Sequence, residues 1–266
     1  MTKQIDFSKF SSIKVGPVID VTVVDECLKI PKEAYIIGSC SNILIGENPP
    51  PLYMLSKTYD YIKLKDGLLR IGAATPSGKI ASFCKKNNIG GFEFLSHLPG
   101  KLGGLVKMNA GLKEYEIFNN LLFIRTCKRK ILKKEIDFGY RYTKIDDIIL
   151  EATFHYSEGF DTKKVAMFQK MRKNQPSQPS AGSCFKNPKG DFAGRLIEAA
   201  GLKGKRNGNM GWSELHANFL VNYGGGTYMQ AYSLIQEAEE KIQKLFGITL
   251  EREIILLDST LSKGTL

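Results

Sequence analysis

Residues 91–111, GFEFLSHLPGKLGGLVKMNAG, constrain this chain more than any other stretch. Five glycines (Gly91, Gly100, Gly103, Gly104, Gly111) and Pro99 interrupt an otherwise apolar run. The backbone must therefore turn repeatedly while staying inside the protein. Glycine admits positive φ and close approach of a ligand to the backbone, and N–H groups on such turns form concavities suited to phosphate. Asn109-Ala110-Gly111 closes the stretch with another turn signal. Taken alone, the stretch fits a buried loop under a core as well as a ligand loop, and a similar stretch upstream is what shifts the balance.

That upstream stretch follows two short apolar segments, PVIDVTVV (17–24) and AYIIG (34–38), rich in β-branched residues and bounded by Pro and Gly. The second runs into Gly38-Ser39-Cys40-Ser41-Asn42 and then Ile43-Leu44-Ile45. A strand, a turn of small residues and another strand can present N–H groups and hydroxyls to a phosphate; a plain polar turn has the same composition. Pro49-Pro50-Pro51 marks a stiff linker or edge.

Further along, LLRIGAA (68–74) reads as a strand. Thr75 as N-cap and Pro76 as first helical residue then open a helix with Ile80, Phe83 and Cys84 on one face, stopped by Gly90. Strands are expected at 121–127, 130–138 and 147–156, with Lys128-Arg129-Lys130 through Lys133-Lys134 at an exposed hairpin tip. Arg141 stands between Tyr140 and Tyr142, either as a surface cation–π arrangement or as a cation held for an anion. A helix at 162–173 precedes NQPSQPS, a candidate domain boundary or active-site loop. The following Gly182-Ser183-Cys184-Phe185 is not a Gly-x-Ser-x-Gly elbow, which disfavours a serine hydrolase. DFAGRLIEAAGLKG (191–204) is a helix stopped by Gly201, with Ala193, Leu196, Ile197 and Ala200 facing inward. His216 and Asn218 precede a buried strand, Phe219-Leu220-Val221. Thr227-x-x-Gln230 is a capping box for a helix running to Phe246 and closed by Gly247. ITLEREIILLD (248–258) reads as a last strand carrying Glu251 and Glu253 on one face.

Several function classes are excluded or weakened. No Walker loop and no G-x-G-x-x-G is present. No apolar run approaches the roughly 18 residues of a membrane span. MTKQIDFSKF lacks the apolar core of a signal peptide, so a cytoplasmic protein is expected. Cys27, Cys40, Cys84, Cys127 and Cys184 form no C-x-x-C pair and read as reduced thiols; with His97, His155 and His216 equally scattered, no metal site is expected. The net charge of +11 admits nucleic acid, a membrane surface, solvated surface charge or a small polyanionic substrate. Its basic residues are dispersed, which favours solvated charge first and substrate steering second.

Taken in order, these segments resemble the UDP-N-acetylenolpyruvoylglucosamine reductase (MurB) family of peptidoglycan precursor synthesis, and the likeness covers nearly the whole chain. Gly38-Ser39-Cys40-Ser41-Asn42 is similar to the family's first flavin-phosphate loop, usually three glycines followed by Ser-Asn. LSHLPGKLGG and MNAG resemble its second, and Tyr140-Arg141, GSCFKNP, AGLKG, HANF and LEREI follow in the family's sequence. The resemblance implies an α+β fold: a split FAD-binding unit of the vanillyl-alcohol-oxidase type plus an α+β substrate domain. Residues 1–57, rejoined by 251–266, and 58–157 would form the FAD-binding parts, and 158–250 the substrate domain. The short spacing from Arg141 to Ser183 resembles the compact form lacking a long tyrosine loop.

The implied chemistry uses FAD, with NADPH as co-substrate. NADPH reduces the bound flavin and leaves, and the enolpyruvyl ether of the UDP-sugar takes a hydride at its β-carbon. Charge then develops toward the carboxylate, and the α-carbon must be protonated. By resemblance, Arg141 stabilises that charge, Ser183 supplies the proton, and Glu253 supports the carboxylate, possessing a proton of its own when it does so. Gly38, Ser39, Cys40, Ser41, Asn42, Pro99, Gly100, Gly103, Gly104, Asn109, Ala110 and Gly111 would hold the cofactor, and Tyr140, Asn187, Lys203, His216 and Asn218 the UDP-sugar. No nucleic acid, membrane or obligate protein partner is implied. The chain also departs from the pattern. Ser39 and Cys40 replace two usual glycines; His97 and Lys101 stand where the second loop usually has Gly and Thr; Lys14 replaces an arginine, and Ile255 another after the final glutamate. Two other functions remain open on the residues: another FAD oxidoreductase of this fold, such as a sugar-lactone oxidase, or a non-catalytic basic anion-binding module.

Overall fold

A computed structural model describes residues 1–26, 30, 31 and 33–260. Cys27, and residues 261–266 of the expected C-terminal return, lie outside the described residues. The chain forms two compact units. One comprises Met1, Thr22–Gly38 and Tyr53–Lys173; the other comprises Thr2–Val21, Ser39–Leu52 and Asn174–Leu266. The α+β class expected from the resemblance is the one found.

The first unit is built on a five-stranded sheet in the order Lys130–Leu132, Leu121–Thr126, Ile149–Phe154, Leu68–Gly72, Ile62–Lys65, antiparallel at every pairing. Asp66-Gly67, both at positive φ, make the two-residue turn of its edge hairpin, the turn whose twist suits paired strands. The helix Ser77–Lys86 buries Ile80, Ala81 and Cys84. Its cap is Pro76, not Thr75: Thr75 is fully buried and its hydroxyl donates to the Tyr61 carbonyl. The helix also ends before Gly90, which lies in a short strand; Asn88 takes the left-handed conformation instead. Phe92, Phe118, Phe154 and Phe168 fill the core, with Phe92 edge-on to Phe154 at 5.4 Å. Lys128 and Arg129 do sit at a hairpin tip, both N–H groups donating to the Thr126 hydroxyl. The expected strand 130–138 stops at Leu132, because the Glu135 carboxylate accepts the Leu132 N–H and turns the chain into a 3-10 helix.

The second unit carries the antiparallel sheet Ser180–Ser183, Phe219–Asn222, Met210–Trp212, Arg206–Asn207. The 19-residue helix Tyr228–Phe246 buries Tyr228, Ala231, Leu234, Ile235, Ala238 and Ile242. Thr227 and Gln230 form the capping box, and Gly247 closes the helix at φ +67°. A shorter helix, Ala193–Ala199, is followed by Gly201 at φ +70°. Ile255–Leu257 pairs in parallel with Ile43–Ile45. The last strand is therefore confined to those three residues rather than spanning 248–258. The segment before it makes a single bridge, Arg252 to Phe185, flanked by N–H bonds from Lys186 to the Glu251 carbonyl and from Glu253 to the Cys184 carbonyl, so it is held against 184–186 instead of continuing the last strand. The alternation was real, but a strand also needs a continuous backbone partner.

Candidate active site

In the first unit, the glycine loop converges on an arginine. Gly91 takes φ +87° and donates its N–H to the buried Glu93 carboxylate, which also accepts the Asp161 N–H. Pro99-Gly100 leads into the helix Leu102–Lys107, fixed by N–H bonds from Ser77 to Gly100, Leu102 to Thr75 and Gly103 to Ala73. A Cβ at Gly103 would meet Ala73 at 3.1 Å, whereas one at Gly104 would meet nothing within 4 Å. Glycine is thus needed at Gly103 for packing, and Gly104 leaves an open face.

Beyond that helix, Asn109 is fully buried at φ +43°. Its amide donates to the Glu116 carboxylate (2.8 Å) and the Gly139 carbonyl (3.0 Å), and its side-chain oxygen accepts the Phe118 N–H. Gly111 cannot carry a side chain, since a Cβ would lie 2.3 Å from the Tyr115 carbonyl. Arg141 occupies the two-residue turn of the hairpin Phe138–Gly139/Tyr142–Thr143. One guanidinium nitrogen donates to the Asn109 carbonyl at 3.3 Å and the other to that of Gly111 at 2.6 Å. Glu116 lies 3.7 Å away, and the Tyr140 ring centroid 5.0 Å away. The arginine side chain is 13% exposed. It is at once a cation–π partner and a cation held in a polar cage. Ala110 is buried.

The first loop begins in this unit at Gly38, where a Cβ would lie 3.8 Å from that of Lys101. Its remaining residues belong to the second unit. Cys40 is buried and adopts φ +48°, so the glycine-type turn survives without the glycine, at a strain of roughly 1–2 kcal/mol. Its carbonyl accepts the Ser12 N–H. Asn42 accepts the Ile255 N–H at 2.9 Å, so Ile255, in the place of the family's arginine, joins this loop to the last strand through its backbone. Ser39 and Ser41 are half-buried beside it. Lys14 donates to the Lys9 carbonyl.

Within the second unit, Ser183 ends its strand opposite Phe219. The next carbonyl, that of Cys184, accepts both the Glu253 N–H (2.9 Å) and the Ile254 N–H. Glu253 is thereby joined through its backbone to the residue after Ser183, and both Ser183 and Glu253 are half-buried. Cys184 itself is buried, and burial pushes its thiol well above the ordinary range, Glu239 adding to the effect. It is a packing residue and not a nucleophile. The fully buried part of this support is Asn218: its side-chain oxygen accepts the Phe185 N–H at 3.0 Å and its amide donates to the Phe185 carbonyl at 2.8 Å.

Around the helix Ala193–Ala199 the structure brings together Asn187, His216 and Lys203. Asn187 is exposed and accepts the Ala193 N–H. His216 lies 3.4 Å from where a Gly194 Cβ would stand and 4.9 Å edge-on from the Phe219 ring. Burial lowers its pKa from 6.5, with Lys203 pushing the same way, so the imidazole is neutral at pH 7. Lys203 pairs with Glu198. A cavity of about 570 Å³ in this unit, lined by Lys14, Glu47, Asn222 and Gly224–Thr227, includes none of these residues. The residues that sequence reasoning missed are Glu116, which braces the arginine cage, and Asn222, fully engaged with the carbonyls of Ile13 and Lys14 and the N–H groups of Gly224 and Gly226. No spacing rule points to the first; the second has a turn signal in Asn222-Tyr223-Gly224. Among the described residues no cluster of metal-ligating side chains occurs, and no helix is long and apolar enough to cross a membrane.

Residues 174–257 match the family model for the C-terminal domain of UDP-N-acetylenolpyruvoylglucosamine reductase. The UDP-N-acetylenolpyruvoylglucosamine reductase of Campylobacter jejuni RM1221 is 44% identical over 258 residues, covering 95% of this chain and 99% of that protein. The enzyme of the same name from Helicobacter hepaticus is 44% identical over 260 residues, covering 96% and 99%. The crystal structure of UDP-N-acetylenolpyruvylglucosamine reductase (MurB) from Thermus caldophilus superposes with a TM-score of 0.85 at 26% identity, over 97% of this chain and 99% of that one. Likeness of sequence and fold along the whole chain makes this protein an oxidoreductase. It belongs to the UDP-N-acetylenolpyruvoylglucosamine reductase family.

Proposed function

We propose that the protein reduces the enolpyruvyl ether of UDP-N-acetylglucosamine to the lactyl ether, UDP-N-acetylmuramate, with NADPH as reductant and FAD as cofactor, in the cytoplasm. The observation that carries this reading is likeness to this family along the whole chain, with the Glu253 N–H bonded to the carbonyl of the residue after Ser183. A sugar-lactone oxidase has no need of an acid beside a carboxylate partner. FAD, when bound, carries the electron pair from nicotinamide to substrate. Gly38–Asn42 and Pro99–Gly111 would hold it, and the open face at Gly104 fits a ligand lying against the backbone.

The chain's own residues do the rest. Arg141, fixed by two carbonyls, offers a permanent planar cation to the charge that develops on the substrate's carboxylate side. Glu253 supports that carboxylate. The Ser183 hydroxyl delivers its proton to the α-carbon and takes one back from water. A hydroxyl is a weak acid, and it serves because an enolate is a strong base held beside it. Tyr140, Asn187, Lys203 and neutral His216 would bind the UDP-sugar, while Asn218 acts through Phe185 by holding the strand end in place. The parallel pairing of Ile255–Leu257 with Ile43–Ile45 supports a return of the last strand to the first segment of the chain.

An absorption spectrum of the purified protein tests the reading. Flavin bands that bleach with NADPH and return anaerobically on adding the enolpyruvyl substrate are expected. Bands that return only with oxygen would mark an oxidase, and a protein that cannot take up FAD would end the proposal.

A further inference from the structure

Lys101 is a departure from the family's usual threonine, and its setting gives the departure a use. Its backbone is pinned on both sides before any ligand arrives. Ser77 donates to the Gly100 carbonyl, Leu102 to Thr75, and Leu105 to Lys101 itself, and Lys101 bridges Pro76. The residue is half-buried and extended, at φ −109° and ψ 153°. The position of its Cβ is therefore fixed, and its stem leaves the backbone beside Gly38, the first residue of the other phosphate loop, at the 3.8 Å separation given above. Gly38 and Lys101 thus bring the start of the first loop and the middle of the second together inside one compact unit. A threonine here would offer a short neutral hydroxyl. Lysine offers a longer reach and a full positive charge at the point where two phosphate-binding segments meet.

We propose that Lys101 is a cofactor-positioning residue whose ammonium group pairs with the pyrophosphate of FAD. The inference rests on the FAD reading above, and its test separates the two.

Apoprotein of the full chain, freed of flavin, is titrated with FAD by fluorescence quenching at about 20 mM and about 300 mM salt. Lys101→Thr should weaken binding about tenfold at low salt, the size of a partly exposed charge-assisted contact. The deficit should shrink at high salt, where screening shortens the range of the interaction, and Lys101→Arg should restore most of the affinity. Unfolding midpoints of the three apoproteins control for folding. Equal affinity of Lys101→Thr and the parent at both salts would overturn the proposal. So would a loss that is independent of salt and unrescued by arginine, since that pattern belongs to backbone packing. If the parent protein itself takes up no FAD, the cofactor reading fails and Lys101 with it.

Discussion

Replacing Ser183 by alanine removes one hydroxyl from the end of a strand whose backbone bonds all remain. Such a change should leave flavin reduction by NADPH near the parental rate and slow reoxidation by the enolpyruvyl substrate by about 10²–10⁴-fold, the usual worth of a positioned acid. Stopped-flow absorbance separates the two half-reactions, and equal slowing of both would remove the acid role. Asn218 fails in another way. Its amide pairs with both backbone groups of Phe185, so Asn218→Ala strands a buried N–H and a buried carbonyl and should cost roughly 2–4 kcal/mol. Urea unfolding with unchanged slope should show it, together with a slowed second half-reaction, because Ser183 and Glu253 hang on the same backbone. Both positions stand in segments that the sequence marks, GSCFKNP and HANF. The opposite character of the two roles, one chemical and one structural, appears only when the hydrogen bonds are drawn.

At the scale of elements, the segment around Gly104 combines two demands that a substitution can separate. A Cβ there meets nothing, and alanine favours a helix by up to about 1 kcal/mol over glycine. Gly104→Ala should therefore leave the apoprotein as stable as the parent or slightly more so, while weakening FAD binding about tenfold or more. A variant that binds FAD normally would show that the open face is not where the cofactor lies. The helices were legible because their ends carry chemistry: Thr227 with Gln230 at one end and Gly247 at the other specify the long helix to the residue. The last strand was not, because alternating polarity in ITLEREIILLD states what a strand would do with its faces but not whether a partner backbone is present. Pro76 displaced Thr75 as cap because the threonine hydroxyl found a buried carbonyl instead. The arginine cage was half legible. Tyr140-Arg141 and MNAG were visible as separate signals, but no periodicity connects Asn109, Glu116 and Arg141, which meet only through the fold.

For the molecule as a whole, the excess of 38 Lys and Arg over 27 Asp and Glu predicts attraction of anionic ligands over long range. Raising ionic strength from about 20 mM to about 200 mM should increase the KM for NADPH about threefold or more, with kcat little changed, because screening acts on encounter and not on the step at the α-carbon. Steady-state rates across a salt series check this; a flat KM would show that the charge is mere surface solvation. Composition made the sign of this effect readable from the start. It did not indicate that the beginning of the chain shares a compact unit with its end.

That arrangement has a consequence for how the protein comes into being. A ribosome that has released residue 173 has delivered every segment of the first unit, whose sheet and phenylalanine core need nothing further downstream. The second unit is in the opposite position. Its segments 2–21 and 39–52 emerge early, yet Ile43–Ile45 must wait about two hundred residues for Ile255–Leu257 before its parallel pairing can form. Apolar residues such as Ile13, Val15 and Leu44, fully enclosed in the finished protein, are therefore uncovered for most of synthesis. The early part of the chain is where a nascent-chain chaperone would have its longest opportunity to bind.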